Sequence, residues 1–184
     1  VIGNSHSEDT IAALPAVLNA EGLPGYTIGY ASLAGSSAKD HLKEINANNA
    51  SYPLYVCTDY TKGYAPANEN KDKYTFKGML QYTDWDVVFL QNGPFDLAES
   101  TKTVAKTERE QVEDYILNTD NHHPDKTPKL AYLTSWVAPA CDPADHTAYA
   151  KALQTAANKD LGEEGNYYPD YKIAIECQGK QHFY

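Results

Sequence analysis

Strand-like and helix-like segments alternate along this chain, and this alternation restricts its fold more than any other feature. β-Forming runs predict strands over 26–33, 129–136 and 171–177, and apolar residues at helical spacing predict helices over 8–21, 107–118 and 145–161. The run from Val87 to Leu90 is continuously apolar, which is typical of a parallel strand buried on both faces. The pattern predicts a three-layer α/β domain around a parallel sheet, with all 184 residues in a single domain.

Composition excludes several classes of function. The chain has 25 acidic and 15 basic residues, which gives a formal charge of −10, and the acidic residues are scattered along the sequence. Because contacts to phosphate need a basic surface, we expect no nucleic-acid partner. No apolar run reaches the length of a membrane span. Cys57, Cys141 and Cys177 lack metal-ligand spacing, and we expect no metal and no cofactor. Whether two of these cysteines form a disulfide stays open.

The first ten residues carry the most informative chemistry. A short apolar start runs into Gly3-Asn4-Ser5 and then into acidic, helix-starting residues, which predicts a strand, a tight turn and a helix. Ser5 is then at the carboxyl end of a strand, where open α/β sheets bind their ligands. Its hydroxyl would face solvent near the unpaired N–H groups of a helix start, which receive negative charge. A simpler interpretation is a capped helix start in which Ser5 or Ser7 is the N-cap.

Three segments resemble sequence blocks of the SGNH/GDSL hydrolase superfamily. Residues 3–7 are similar to its first block, Gly-Asp-Ser-x-Ser, with Asn in place of Asp. Within the superfamily they resemble a bacterial subgroup catalogued as a domain of unknown function, which usually has Phe where this chain has His6. The turn at residues 34–41 is similar to the subgroup's Gly-Gly-Cys-Ser-Leu-x-x-His at Gly35, Ser37 and His41. Residues 85–92 are similar to its Trp-Asp-x-Val-x-Leu-Gln-Gln.

This resemblance implies a fold and a set of site residues. The fold is a three-layer α/β/α flavodoxin-like domain with a five-stranded parallel sheet in the order 2-1-3-4-5. Ser5 is the implied nucleophile. The Ser5 N–H, the Gly35 N–H and the Asn92 side chain are the implied oxyanion hole. From the residues alone, Gly35 is equally well explained as a turn residue with positive φ.

The catalytic histidine is the weak point of the resemblance. The superfamily has a final Asp-x-x-His block after the fifth strand, and here Gly179 stands three residues before His182, where Asp is required. His182 is therefore a tentative base without its carboxylate. Either the sequence stops before the C-terminal block or the molecule has lost it. Val1 begins in the middle of a predicted strand, so we expect a chain trimmed at its start.

Two further predictions concern segments outside these blocks. The polar, aperiodic stretch from Thr58 to Tyr82 predicts a long loop over the rim of the site. His122, His123 and His146 show no metal-ligand pattern, so we expect them to be solvated, whereas His41 is expected to pack on its helix or face solvent.

The leading hypothesis is a serine esterase or deacylase that acts through an acyl-enzyme on a small ester. An acetylated carbohydrate is one candidate substrate, because the chain is acidic and contains 15 tyrosines. The alternative is a non-catalytic binding or surface protein on the same scaffold. A phosphate- or nucleotide-binding domain ranks last, since no glycine-rich phosphate loop is present.

Overall fold

A computed structural model describes residues 1–23, 25–92 and 102–134 of the chain. Its elements are β1 (Ile2–Gly3), α1 (Ser5–Ala12), α2 (Leu14–Ala20), β2 (Ile28–Ser32), α3 (Ala38–Ala47), β3 (Leu54–Cys57), β4 (Ala65–Pro66), α4 (Phe76–Leu80), β5 (Val87–Asn92), α5 (Lys102–Leu117) and β6 (Lys129–Thr134). Within these ranges, no helix combines the length and the apolar character that a membrane crossing requires. The predicted helix over 145–161, the predicted strand over 171–177 and His182 lie outside the described residues.

All six strands form one sheet in the order β4-β3-β2-β1-β5-β6. β1 is parallel to both β2 and β5, and β5 is parallel to β6. β3 pairs antiparallel with β2, and β4 antiparallel with β3. The α/β class is therefore correct, but the prediction of five parallel strands in the order 2-1-3-4-5 is wrong in strand number and order. The side-chain pattern of β3 predicts a strand, but it carries no information about which neighbour that strand pairs with or in which direction.

One face of the sheet holds the main hydrophobic core. Apolar residues of the strands pack there against α4 and α5, and α3 packs on α5. The buried members of this core are Ile2, Ala31, Tyr52, Leu54, Phe76, Met79, Leu80, Val88, Leu90, Val112 and Ile116. The predicted rim loop at 58–82 is wrong, because it contains β4 and α4, and Phe76, Met79 and Leu80 of α4 are buried. A five-residue helix is too short for its periodicity to be recognised in the sequence.

On the opposite face, α1 packs against β1 and β2. Tyr30 of β2 is buried, and its hydroxyl donates a hydrogen bond to the Asn4 carbonyl oxygen at 3.3 Å. The predicted helix over 8–21 is divided into α1 and α2 at Ala13, and Pro15 lies in the first turn of α2. Proline has no N–H to continue the preceding helix, which explains the break. Within the described residues, helices therefore pack on both faces of the sheet.

Candidate active site

The turn between β1 and α1 presents Ser5 to solvent. Asn4 is the N-cap of α1, and its side-chain oxygen accepts the His6 N–H at 3.0 Å. Ser7 is buried, and its hydroxyl donates to the Asn4 carbonyl oxygen at 2.7 Å. The interpretation of Ser5 or Ser7 as the N-cap is therefore wrong. Ser5 is the first residue of α1, it is exposed, and within the described residues its hydroxyl has no hydrogen-bond partner.

Three hydrogen bonds hold the carboxyl ends of β1, β2 and β5 together. The Leu33 N–H donates to the Gly3 carbonyl oxygen at 2.9 Å. The Asn4 side chain donates through Nδ2 to the Ser36 carbonyl oxygen at 3.1 Å. The backbone N–H of Asn4 donates to Oε1 of Gln91, the penultimate residue of β5, at 2.9 Å.

These bonds bring together the parts of the chain that contain the predicted site residues. Ser5 follows Asn4, Gly35 precedes Ser36, and Asn92 follows Gln91. Ser5 and Gly35 therefore lie at the same edge of the sheet, next to the end of β5. The backbone of Asn92 ends β5, while its side chain lies outside what the structure describes.

The backbone N–H groups of Ser5 and Gly35 have no acceptor within the described part of the chain, and both residues are exposed. The Gly35 backbone is left-handed, with φ of 65°, and a Cβ added there would have nothing within 4 Å. The Ser5 N–H also begins α1, whose aligned peptide dipoles favour negative charge at that end. Both N–H groups are therefore open to an acceptor at this edge of the sheet.

His41 is buried beneath this edge. Its Nε2 is 3.1 Å from the Ser36 hydroxyl and its Nδ1 is 2.9 Å from the Tyr52 hydroxyl. The ring stacks on that of Tyr52, with 5.8 Å between centroids. Burial lowers the pKa of His41 from 6.5 to about 4, so the ring is neutral at pH 7. Both ring nitrogens contact buried hydroxyl groups. His41 is therefore a packing residue, and it supports the turn that contains Gly35.

Two of the histidines expected to be solvated are not. His122 is only 3% exposed. His123 is half-buried, contacts Asp84 and has Asp125 at 3.6 Å from its Nδ1. The contact between His123 and Asp84 joins two distant segments of the chain, so the local sequence holds no signal for it.

His123 lies before β6 and Asp84 before β5, at the amino ends of the parallel strands. That is roughly 20 Å, the length of a six-residue strand, from the Ser5 edge. Among the described residues, Asp84, His123 and Asp125 form a group whose ligand atoms lie within 4.8 Å of one another, close enough to hold a metal ion. Both aspartates are exposed, and we assign no ion to the group. A cavity of about 340 Å³ opens at the same end of the sheet, and neither Ser5 nor Gly35 lines it.

Sequence reasoning missed the parts that Asn4 and Gln91 play. The hydrogen bond between them joins residues 87 positions apart, which no local pattern can indicate. Of the histidines in the described ranges, His6 is the one beside Ser5 in the chain, and it is half-buried. His182, the predicted base, lies outside those ranges and stays a prediction.

Comparison with known proteins gives a fold relationship. No protein-family model matches the chain, and no curated protein matches its sequence. The chain is similar to the crystal structure of a DUF4886 family protein from Bacteroides uniformis, with a TM-score of 0.64 and 20% sequence identity. The match covers 86% of this chain and 62% of that protein, so the chain spans less than two thirds of its neighbour's length. At this identity the likeness shows the fold alone, and that fold is mixed α/β with a single sheet.

Proposed function

We propose that the protein is a serine esterase or deacylase in which Ser5 is the nucleophile. One observation carries the proposal: the exposed Ser5 hydroxyl, which makes no hydrogen bond within the described residues, lies at the edge where the Ser5 and Gly35 N–H groups are both open. A capping serine would have its oxygen occupied by the helix start, but here Asn4 performs that task. The hydroxyl and the two donors are thus free for a substrate.

The proposed reaction begins when the Ser5 oxygen attacks the carbonyl carbon of an ester. A histidine takes the serine proton and returns it to the departing alcohol, which leaves an acyl-enzyme for water to hydrolyse. The tetrahedral oxyanion is stabilised by the N–H groups of Ser5 and Gly35 and by the Asn92 amide. Each such donor contributes roughly 3 kcal/mol in comparable sites. In this proposal the base is His182.

The same proposal includes the superfamily to which the chain belongs. Membership of the SGNH/GDSL superfamily is supported by the three neighbouring strand ends and by the sequence blocks that contain Ser5, Gly35 and Asn92. The substrate class is a small ester. An acetylated carbohydrate suits the acidic, tyrosine-rich chain better than an anionic substrate would, because like charges repel.

The test is hydrolysis of a small activated acetyl ester by the protein and its Ser5→Ala variant. Thr10→Ala is the matched control, because it removes another exposed hydroxyl from α1 one turn further on. We expect turnover to vanish in Ser5→Ala and to persist in Thr10→Ala. Labelling with a fluorophosphonate, mapped by peptide mass spectrometry, should modify Ser5. A folded protein with neither turnover nor label would refute the proposal and favour the non-catalytic binding protein.

A further inference from the structure

Gln91 makes an unusual pair of contacts beneath the Ser5 turn. Its side chain is 5% exposed. A single oxygen, Oε1, accepts the Asn4 N–H at 2.9 Å and the Ser7 N–H at 3.1 Å. One of these groups precedes Ser5 and the other follows it by two residues. The same carboxamide therefore holds the chain on both sides of the proposed nucleophile.

The surrounding residues make room for this arrangement. A Cβ on Gly3 would fall 2.5 Å from Gln91 Oε1 and closer still to the Ser7 hydroxyl, a separation that real Cβ atoms essentially never show. Glycine at position 3 thus lets the Gln91 side chain reach the turn. The other end of the carboxamide, Nε2, is buried and has no hydrogen-bond partner among the described residues. The contacts to the turn are consequently made by Oε1 alone.

The hydrogen bonds also decide which donors of α1 are open. The His6 N–H is taken by the Asn4 side chain, and the Ser7 N–H by Gln91 and the Asn4 carbonyl oxygen. Within the described residues this leaves the Ser5 N–H as the open donor at the start of the helix. A site with one open N–H on this turn suits a single developing oxyanion. A free phosphate would use several adjacent N–H groups.

We propose that Gln91 is the positioning residue for Ser5, an inference that rests on the proposed function. It touches no substrate. Its Oε1 fixes the backbone before and after Ser5, so that the serine hydroxyl and the Ser5 N–H face the same carbonyl group. Because the carboxamide is neutral, it holds both N–H groups without placing a negative charge beside the oxyanion. Replacing Gln91 should therefore change kcat more than it changes KM.

The experiment compares Gln91→Met with Gln91→Glu. Methionine has a similar length without a strong acceptor, whereas glutamate keeps an oxygen at the same reach. We expect Gln91→Met to lose about a hundredfold in kcat, the cost of misplacing a reacting group by about 1 Å, while KM stays within about twofold. Compared with the parent at the same pH, Gln91→Glu should recover most of the loss at low pH, where its carboxyl is protonated, and this relative kcat should fall as the carboxyl ionises. The parent protein should lack that ionisation.

Two control variants separate positioning from general destabilisation. Val112→Ala weakens the core away from the turn, and Gln81→Met makes the same substitution at an exposed position. Both should keep the parent kcat per folded molecule. If Gln91→Met fails to fold, Gln91→Asn, whose amide is one methylene too short to reach both N–H groups, is judged by the same loss of kcat at unchanged KM.

A folded Gln91 variant with the parent kcat and the parent rate of Ser5 labelling would overturn the inference while Ser5→Ala still abolishes turnover. A parent protein without turnover or label would instead refute the proposed function, and the inference would fail with it. The two failures are therefore distinguished by the parent protein alone.

Discussion

Acid should destabilise this protein through His41, beyond the general effect of acid on its carboxylates. The ring is 1% exposed in the folded protein, and burial lowers its pKa to about 4, although the charges of Asp40 and Glu44 act in the opposite direction. In the unfolded chain the pKa returns to the ordinary 6.5. Between these values the unfolded state binds a proton that the folded state does not.

The sign and the size of the effect follow directly. The contribution of His41 to the free energy of unfolding is complete above pH 6.5 and is lost as the pH falls toward 4. The slope approaches about 1.4 kcal/mol per pH unit, so the loss between pH 7 and pH 5 is about 2 kcal/mol. Nothing further is lost once the folded state also binds the proton.

The assay is urea unfolding of the parent and of His41→Gln between pH 7.5 and pH 5. The variant should be the less stable protein at pH 7.5, because it loses the stacking on Tyr52. Its deficit should shrink by about 2 kcal/mol at pH 5, since glutamine does not titrate. Other acid-sensitive groups cancel in this difference, and His123→Gln is the control for removal of a histidine elsewhere. A deficit that is constant with pH would refute the reasoning.

Three further changes test the packing around the site and the core. Gly3→Ala should lower the free energy of unfolding by about 1–3 kcal/mol, because the new methyl group overlaps Gln91 Oε1 and the Ser7 hydroxyl; an unchanged urea midpoint would show that the turn has more room than described. Leu80→Ala should cost about 2–5 kcal/mol, because the side chain is 1% exposed, and a loss below 1 kcal/mol would place α4 outside the core. Thr75→Ala should lower the free energy of unfolding by about 1 kcal/mol, because the Thr75 hydroxyl caps α4 by accepting an N–H at 3.0 Å. Thr75→Ser keeps that hydroxyl and should regain the lost stability in thermal unfolding.

The α/β class and several elements can be predicted from residue patterns. The apolar run at 87–90 lies within β5, and the β-forming run at 26–33 contains β2. In α5, Val112 and Ile116 are fully buried, as helical spacing allows, whereas the next apolar residue, Leu117, is 42% exposed. The spacing of apolar residues identifies a helix. Which of those residues are fully buried is decided by the neighbouring element that packs against the helix.

Some features of the candidate site can likewise be predicted from the sequence, and others cannot. The placement of Ser5 on a turn between a strand and a helix follows from local residue types, because glycine, asparagine and acidic residues each have distinct preferences at helix starts. That Gln91 holds both sides of Ser5 and that His41 is buried between two hydroxyl groups depend on contacts made across the fold.

The direction of β3 and the burial of α4 belong to this second group as well. Local preferences act within a few residues, so the chain by itself determines the elements that have a clear periodic pattern and the turn that carries Ser5. The partners of buried polar groups and the pairing of strands depend on which distant segments exclude water together, and only the tertiary structure decides them.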